Sequence, residues 1–289
     1  MGGEFHPGRE LSDVPCFPRR SSALWKAPLP GWEDTLDEAS ARVSLEELPP
    51  IFFRADAIGV ASRAFDLLCR IFRRHEVPLA MAVIPAWVSE TRQTRLFRSA
   101  PVDERLWNWH QQGWRHTNWQ KEGYRSEFGP ARSPEQQHED ILSGRAKMER
   151  NFGPHFLPVF SPPWNRLSAA TLKVLQKLDF KAVSAAEPFP RSMESRYGIR
   201  RFSVLLDLHS RTDQNPAADF ALLIDQLCGI SKMKSPAGIA VNHHLMTQFA
   251  FEFLDRLLFN LKYVMNAKLS SFKEMLKTPD EKPPVARLR

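Results

Sequence analysis

Cysteine is scarce. The chain of 289 residues has three, Cys16, Cys69 and Cys228, far apart and in no CxxC pair. An odd and scattered set argues against a disulfide framework or a cysteine metal site and predicts free thiols. Long apolar runs are missing too: no stretch approaches the ~18–20 apolar residues a membrane span needs. The opening MGGEFHPGRELSDVPCFPRR lacks the apolar segment and cleavage site of a secretory leader, and His6 stands where a lipidation motif after Gly2 needs Ser or Thr. These absences lead us to expect a cytoplasmic protein. GxSxG, GxGxxG, GxxxxGK and HExxH are likewise absent, which removes support for serine hydrolases of the elbow type, dinucleotide and phosphate-loop enzymes, and zincins.

What is present is ordinary in bulk, with 43% hydrophobic and 25% charged residues, the balance of a globular protein with a sizeable core. Forty basic against thirty-three acidic residues leave a net charge of +7. The basic residues are dispersed and no nucleic-acid module surrounds them, so neither a nucleic acid nor a membrane is the expected partner.

Residues 1–48 read as an N-terminal extension, rich in Pro, Arg, Ser and Glu, with turns and one short helix in LPGWEDTLDEAS; 278–289 read as a polar tail. Between them, 49–277 alternate. IFFRADA is a buried strand and SRAFDLLCRIFRRHE a helix capped by Ser62. PLAMAVIPA is a strand, VDERLWNWHQQ a helix with Leu106 and Trp109 on one face, and GWRHTN a strand edge. SPEQQHEDILSGRAKMERNFG is a long helix, FLPVFSPPW a strand, and SAATLKVLQKLDF a helix capped by Ser168. KAVSAA, FSVLLDLHS and AGIAVNHH complete about seven strands, with AADFALLIDQLCGI and TQFAFEFLDRLLFNLKYVMN as helices. Such alternation predicts an α/β fold with a parallel sheet, either closed into a barrel or open and doubly wound. In both, functional residues gather at the C-terminal strand ends.

Those ends carry Arg54 and Asp56, His116 and Asn118, Trp164, Asn165 and Arg166, Asp207 and His209, and His243 and His244. Carboxylates, imidazoles and aromatic walls together suit polar or metal-assisted hydrolysis. Each also has a plain structural reading. Asp56 can be an arginine-paired strand end, Asp207 and His209 a scaffold pair, PPWNR a rigid turn, and one of His243 and His244 must face away if both lie on a strand. His6, His75, His138 and His155 are expected at the surface.

In order and spacing, FRADAIG, WHQQGWRHTNWQKEGYRSEFGPAR, PVFSPPWNRLS with TLKVLQKLDFKAVS, and VNHHLM resemble the bacterial polysaccharide deacetylase family over Pro50 to Lys277. The resemblance implies a distorted (β/α) barrel of about seven strands. It also implies a divalent metal, usually zinc, used to remove N- or O-acetyl groups from sugars. By position, Asp56 matches the general base and His243 the general acid, with Asp207 as the carboxylate that tunes it. Arg166 sits in the groove-forming turn, where it or Arg54 holds Asp56. His116 matches one metal-binding histidine. Ala57 stands where a ligand Asp is expected, Gln112 where the other ligand His is expected, and Trp119 where a further histidine often follows. Two of three expected ligands are therefore replaced, and a lone imidazole cannot hold zinc against water.

Two functions follow. In one, the chain still hydrolyses an acylated amino sugar with a metal held by recruited ligands, for which His110, His209 and His244 are the substitutes at hand. In the other, it is a non-catalytic relative whose cleft binds a glycan or a protein. Trp114, Asn118, Trp119, Pro163, Trp164 and Asn165 are the expected contact residues, with Trp109 adding to the aromatic wall.

Overall fold

The structure is a computed structural model that describes residues 21–186, 189, 193–209 and 215–277. The expectations for His6, Cys16 and the tail 278–289 lie outside the described residues. Seven parallel strands, β1 (Ile51–Ile58), β2 (Leu79–Val83), β3 (Trp107–Gln112), β4 (Phe156–Ser161), β5 (Ala182–Ala186), β6 (Arg200–Asp207) and β7 (Ala237–Val241), pair in chain order and close by β7 on β1. The sequence left barrel and open sheet as alternatives, and the chain adopts the barrel.

The described α-helices are α1 (Trp32–Val43), α2 (Arg63–His75), α3 (Glu90–Ser99), α4 (Pro134–Phe152), α5 (Ala169–Lys177), α6 (Met193–Tyr197), α7 (Pro216–Cys228), α8 (Gln248–Phe259) and α9 (Phe272–Lys277), with short 3-10 turns between some of them. Their starts follow the sequence. Ser62 caps α2 and Ser168 caps α5 through side-chain bonds to Phe65 and Thr171 amides, and Ser133 with Gln136 forms a reciprocal capping box on α4.

The barrel interior is layered because inward positions on a strand recur every second residue. Along β1 these are Phe52, Arg54 and Asp56. Phe52 meets Phe202 and Phe272 in an apolar plug at the strand starts. Gly238 on β7 leaves room for it, since a Cβ there would fall 2.3 Å from the Phe52 ring. Above the plug lies a polar layer of Arg54, His110, Ser161 and Ser184, all buried. Asp56 reaches the mouth. The outward residues Phe53 and Ala55 belong instead to the main apolar core under the helices.

The segment VDERLWNWHQQ corrects the sequence reading. It contains β3, not a helix. Trp109 packs outward on Phe97 and Phe152, and Gln111 bonds the Ile141 carbonyl of α4, while His110 points inward to Ser161 and Phe272. Both faces are buried, so a polar inward row interrupts the apolar alternation and Leu106 with Trp109 imitates a helical face. GWRHTN, expected as a strand edge, is a turn with Gly113 and His116 at positive φ.

The extension includes Trp25 and α1, which pack on the helical layer: the Trp25 ring lies among Phe249, Phe253 and His209, and its indole N–H donates to the Leu208 carbonyl at 2.7 Å. Asp37 of α1 pairs with Arg256 of α8. His75, expected at the surface, is buried at the end of α2, where Nε2 meets Asp255 Oδ1 at 2.7 Å. A buried carboxylate needs such a partner, and its place on α8 is invisible from the sequence near His75.

Candidate active site

The site forms at the C-terminal mouth of the barrel, beginning where β1 is irregular. Its register with β2 shifts between Ala55 and Ile58, and Ala57 has φ 60°. A bulge of this kind re-aims the side chains beside it. Asp56 receives a two-point ion pair from Arg54, Nε to Oδ1 at 2.8 Å and Nη2 to Oδ2 at 2.9 Å. The same guanidinium bonds Asn165 Oδ1, the Ser184 carbonyl and the Ser184 hydroxyl. Arg54 is 1% exposed, and these four partners account for its burial. Desolvation pushes the Asp56 carboxyl up, Arg54 pulls it back, and the nearby Asp207 charge adds to the rise.

Ala57 is clamped from two sides. Its N–H donates to Gln112 Oε1 at 2.7 Å, and its carbonyl accepts from His244 Nε2 at 3.1 Å. A carbonyl can only accept, so His244 carries its proton on Nε2. The left-handed backbone of Ala57, costly for a residue with a Cβ, is thus held by side chains of β3 and of the turn after β7.

The turn after β3 is organised by a residue that sequence reasoning missed. Glu127 is buried and its carboxylate accepts the N–H groups of Trp114, Arg115 and His116 at 3.2, 2.7 and 3.2 Å. Gly113 makes this possible: its φ is 52° and a Cβ there would fall 2.2 Å from Glu127 Oε2. Burial pushes the Glu127 carboxyl up, while backbone bonds from Arg115, Trp114, His116 and Thr117 pull it down. The only signal was an acid next to Phe128 in SEFG, too common to single out. His116, placed by this turn, packs tilted against Trp164 with ring centroids 4.3 Å apart and lies 6.0 Å from the Trp87 ring centroid.

His243 and His244 do not alternate along a strand, because β7 ends at Val241 and they begin a short 3-10 turn. Their rings lie 3.9 Å apart. His243 is buried against Phe65; desolvation, then the neighbouring His244, push it well below the usual imidazole range, a backbone bond at Val60 opposes them, and His209 adds a smaller push downward. Asp207 Oδ1 accepts the backbone N–H of His209 at 3.1 Å, and His209 Nδ1 accepts the N–H of Asn242 at 3.1 Å. Asp207 thus organises the strand exit beside Asp56.

An open cleft of about 680 Å³ adjoins this centre. One wall is the turn Trp164 to Leu167, the floor is Ala185 and Ala186 at the end of β5, and the other wall is the loop bearing Gln120 and Tyr124. It opens where β4 and β5 pair at only Val159 with Ala182 and Phe160 with Val183. Trp164 and Asn165 both have positive φ, and Asn165 links cleft and centre through Arg54. Pro163, the first residue of the turn, is buried.

Several expected residues stand elsewhere. Trp109 is core, not cleft wall. Asn118 is spent within its own loop, accepting from Gln120 and Ser126 amides and donating to the Gln120 carbonyl. Trp119 lies under Arg132, and Trp114 is half-buried beside Arg115. Arg166 does not hold Asp56. It lies over the Tyr124 ring at 4.1 Å and donates to the Arg125 carbonyl.

The residues present do not fit a divalent metal. Ala57 offers no ligand, the Gln112 oxygen is taken by the Ala57 amide, and Asp56 is taken by Arg54. Of the substitutes, His110 is held at both ring nitrogens, Nδ1 donating to the Asn108 carbonyl and Nε2 accepting from Ser161, while bonds of His209 Nδ1 to the Asn242 N–H and of His244 Nε2 to the Ala57 carbonyl fix the orientation of those two rings. Among the described residues no group of three or more His, Cys, Asp or Glu is placed to hold an ion.

No family model matches the chain, and no curated protein matches it. Solved structures do. A protein of Mycobacterium smegmatis described as a candidate polysaccharide deacetylase aligns at TM-score 0.56 and 12% identity over 74% of this chain and 75% of its own. The Xyl-CE4 domain of a multidomain xylanase from the hindgut metagenome of Trinervitermes trinervoides aligns at TM-score 0.50 and 11% identity over 80% and 89%. A CE4 family pseudoenzyme from Bacillus anthracis aligns at TM-score 0.50 and 12% identity over 79% and 66%. The fold of this chain is that of the polysaccharide deacetylases. Among the described residues no helix is long and apolar enough to cross a membrane.

Proposed function

We propose that this protein binds an N- or O-acetylated sugar in the cleft beside Asp56 and has lost metal-assisted deacetylation. The observation that carries this reading is the bond from the Ala57 amide to Gln112 Oε1: the two positions where the family resemblance expects ligands are bonded to each other. Zinc sites nearly always use three or four protein donors, and without the ion a bound water keeps its bulk pKa, some 9 units above that of a metal-activated one. Asp56 remains beside the cleft, joined to it through Arg54 and Asn165. Trp164 offers a ring face and Asn165 an amide to a sugar, the pairing that carbohydrate sites use.

The test joins three measurements on the purified protein: metal content without added zinc, acetate release from N-acetylated and O-acetylated oligosaccharides, and calorimetric binding of the same oligosaccharides. The expected result is no stoichiometric metal, no acetate above blank, and binding that Trp164→Ala weakens. Tightly held metal with turnover would establish the hydrolase instead. Absence of binding as well as turnover would remove the carbohydrate reading.

A further inference from the structure

Arg166 is the cleft residue whose placement the reading above leaves without a purpose. It is exposed on the cleft wall, turned away from Asp56, whose carboxylate Arg54 already holds from inside the barrel. Its guanidinium is fixed at two points, by the Tyr124 ring at 4.1 Å and by the Arg125 carbonyl at 3.3 Å. Among the described residues it forms no ion pair; Glu122, the carboxylate of the cleft lining, is not bonded to it. Tyr124 is 77% exposed, so burial does not explain why this ring and this cation meet. A guanidinium resting on a ring keeps its in-plane N–H groups free for a ligand, and a planar fork of donors suits a carboxylate or another oxyanion better than a neutral hydroxyl. The opposite end of the same turn carries Trp164 and Asn165, one ring face and one amide, within the same cleft.

We infer that the cleft is built for an acidic glycan: an acetylated sugar ring rests near Trp164 and Asn165 while the carboxylate of a neighbouring acidic sugar pairs with Arg166. This rests on the carbohydrate reading and sharpens it, assigning Arg166 to specificity and not to catalysis. The net charge of +7 favours the approach of such a polymer but does not choose among anions. Arg166 supplies the choice.

The experiment compares, by calorimetry at fixed ionic strength, a tetrasaccharide alternating N-acetylglucosamine with glucuronic acid and a neutral tetramer of N-acetylglucosamine. The acidic tetrasaccharide is expected to bind about tenfold tighter, as one charge-assisted contact allows. Arg166→Gln should erase that margin, the two tetramers being compared within the variant, Arg166→Lys should keep part of it, and Arg42→Gln, at an exposed position of α1 outside the cleft lining, should keep it whole. A sulfated neutral-backbone tetrasaccharide serves as a third ligand; if it outranks the glucuronate and Arg166→Gln abolishes that rank, the carboxylate assignment is overturned. Equal binding of acidic and neutral tetramers, or an acidic preference untouched by Arg166→Gln, overturns the inference and leaves the carbohydrate reading standing. Binding of none of the three overturns both.

Discussion

Gln112 Oε1 lies 2.7 Å from the Ala57 amide nitrogen, joining β3 to β1 across the barrel mouth where a deacetylase of this fold is expected to seat its ion. The bond also satisfies a backbone donor in the left-handed conformation of Ala57, at φ 60°. Gln112→Ala should therefore cost about 1–3 kcal/mol, the penalty of orphaning a buried N–H. Ala57→Gly should instead add about 1 kcal/mol by relieving the backbone. Urea unfolding of both variants checks the pair; a Gln112→Ala protein as stable as the parent would show that the bond carries no weight.

Restoring the ligands should restore the ion. Ala57→Asp combined with Gln112→His removes the blocking bond and supplies two donors beside His116, and Asp tolerates a left-handed backbone better than Ala. Stoichiometric zinc by elemental analysis is expected for the double variant, with none for the parent or either single variant. A folded double variant without zinc would place His116, now packed against Trp164, out of reach.

The Arg54 and Asp56 pair invites a double-mutant cycle. Removing either partner leaves a charge in a largely desolvated layer, at about 3–5 kcal/mol. Arg54→Met should be the worse of the two, because it also releases Asn165 and Ser184. Arg54→Met together with Asp56→Asn is expected to recover a good part of the loss. Additive costs in thermal unfolding would mean the two groups do not interact.

Acid should unfold this protein earlier than its carboxylates alone dictate. Burial lowers His110 from its ordinary 6.5 to about 3, and His243 is lowered in the same direction. The unfolded chain binds these protons first, so the contribution is complete above pH 6.5 and is lost as pH falls toward 3. For His110 alone the loss between pH 7 and pH 5 is about 2 kcal/mol. The slope of stability against pH in that window should flatten in His110→Gln; an unchanged slope would locate the sensitivity elsewhere.

Much of the architecture was written locally. Strand and helix alternation, the caps at Ser62 and Ser168, and the position of most strands follow from short-range patterns, because capping and buried apolar runs depend on neighbours in the chain. The misreading of β3 has a local cause as well: Asn108, His110 and Gln112 line a polar barrel interior, so the usual contrast between an apolar inside and a polar outside is inverted there.

The sequence by itself determined that Ala57 and Gln112 stand where the family resemblance expects metal ligands, and that neither is an anionic or imidazole donor. It also determined which residues crowd the strand ends. Only the tertiary structure decided what they do with one another: that Arg54, not Arg166, holds Asp56; that Gln112 bonds Ala57; that Glu127 gathers three amides; and that Arg166 faces an open cleft. Each of these is a contact between side chains or backbone groups brought together by barrel closure and its bulges, and orientation at such points depends on the packed whole.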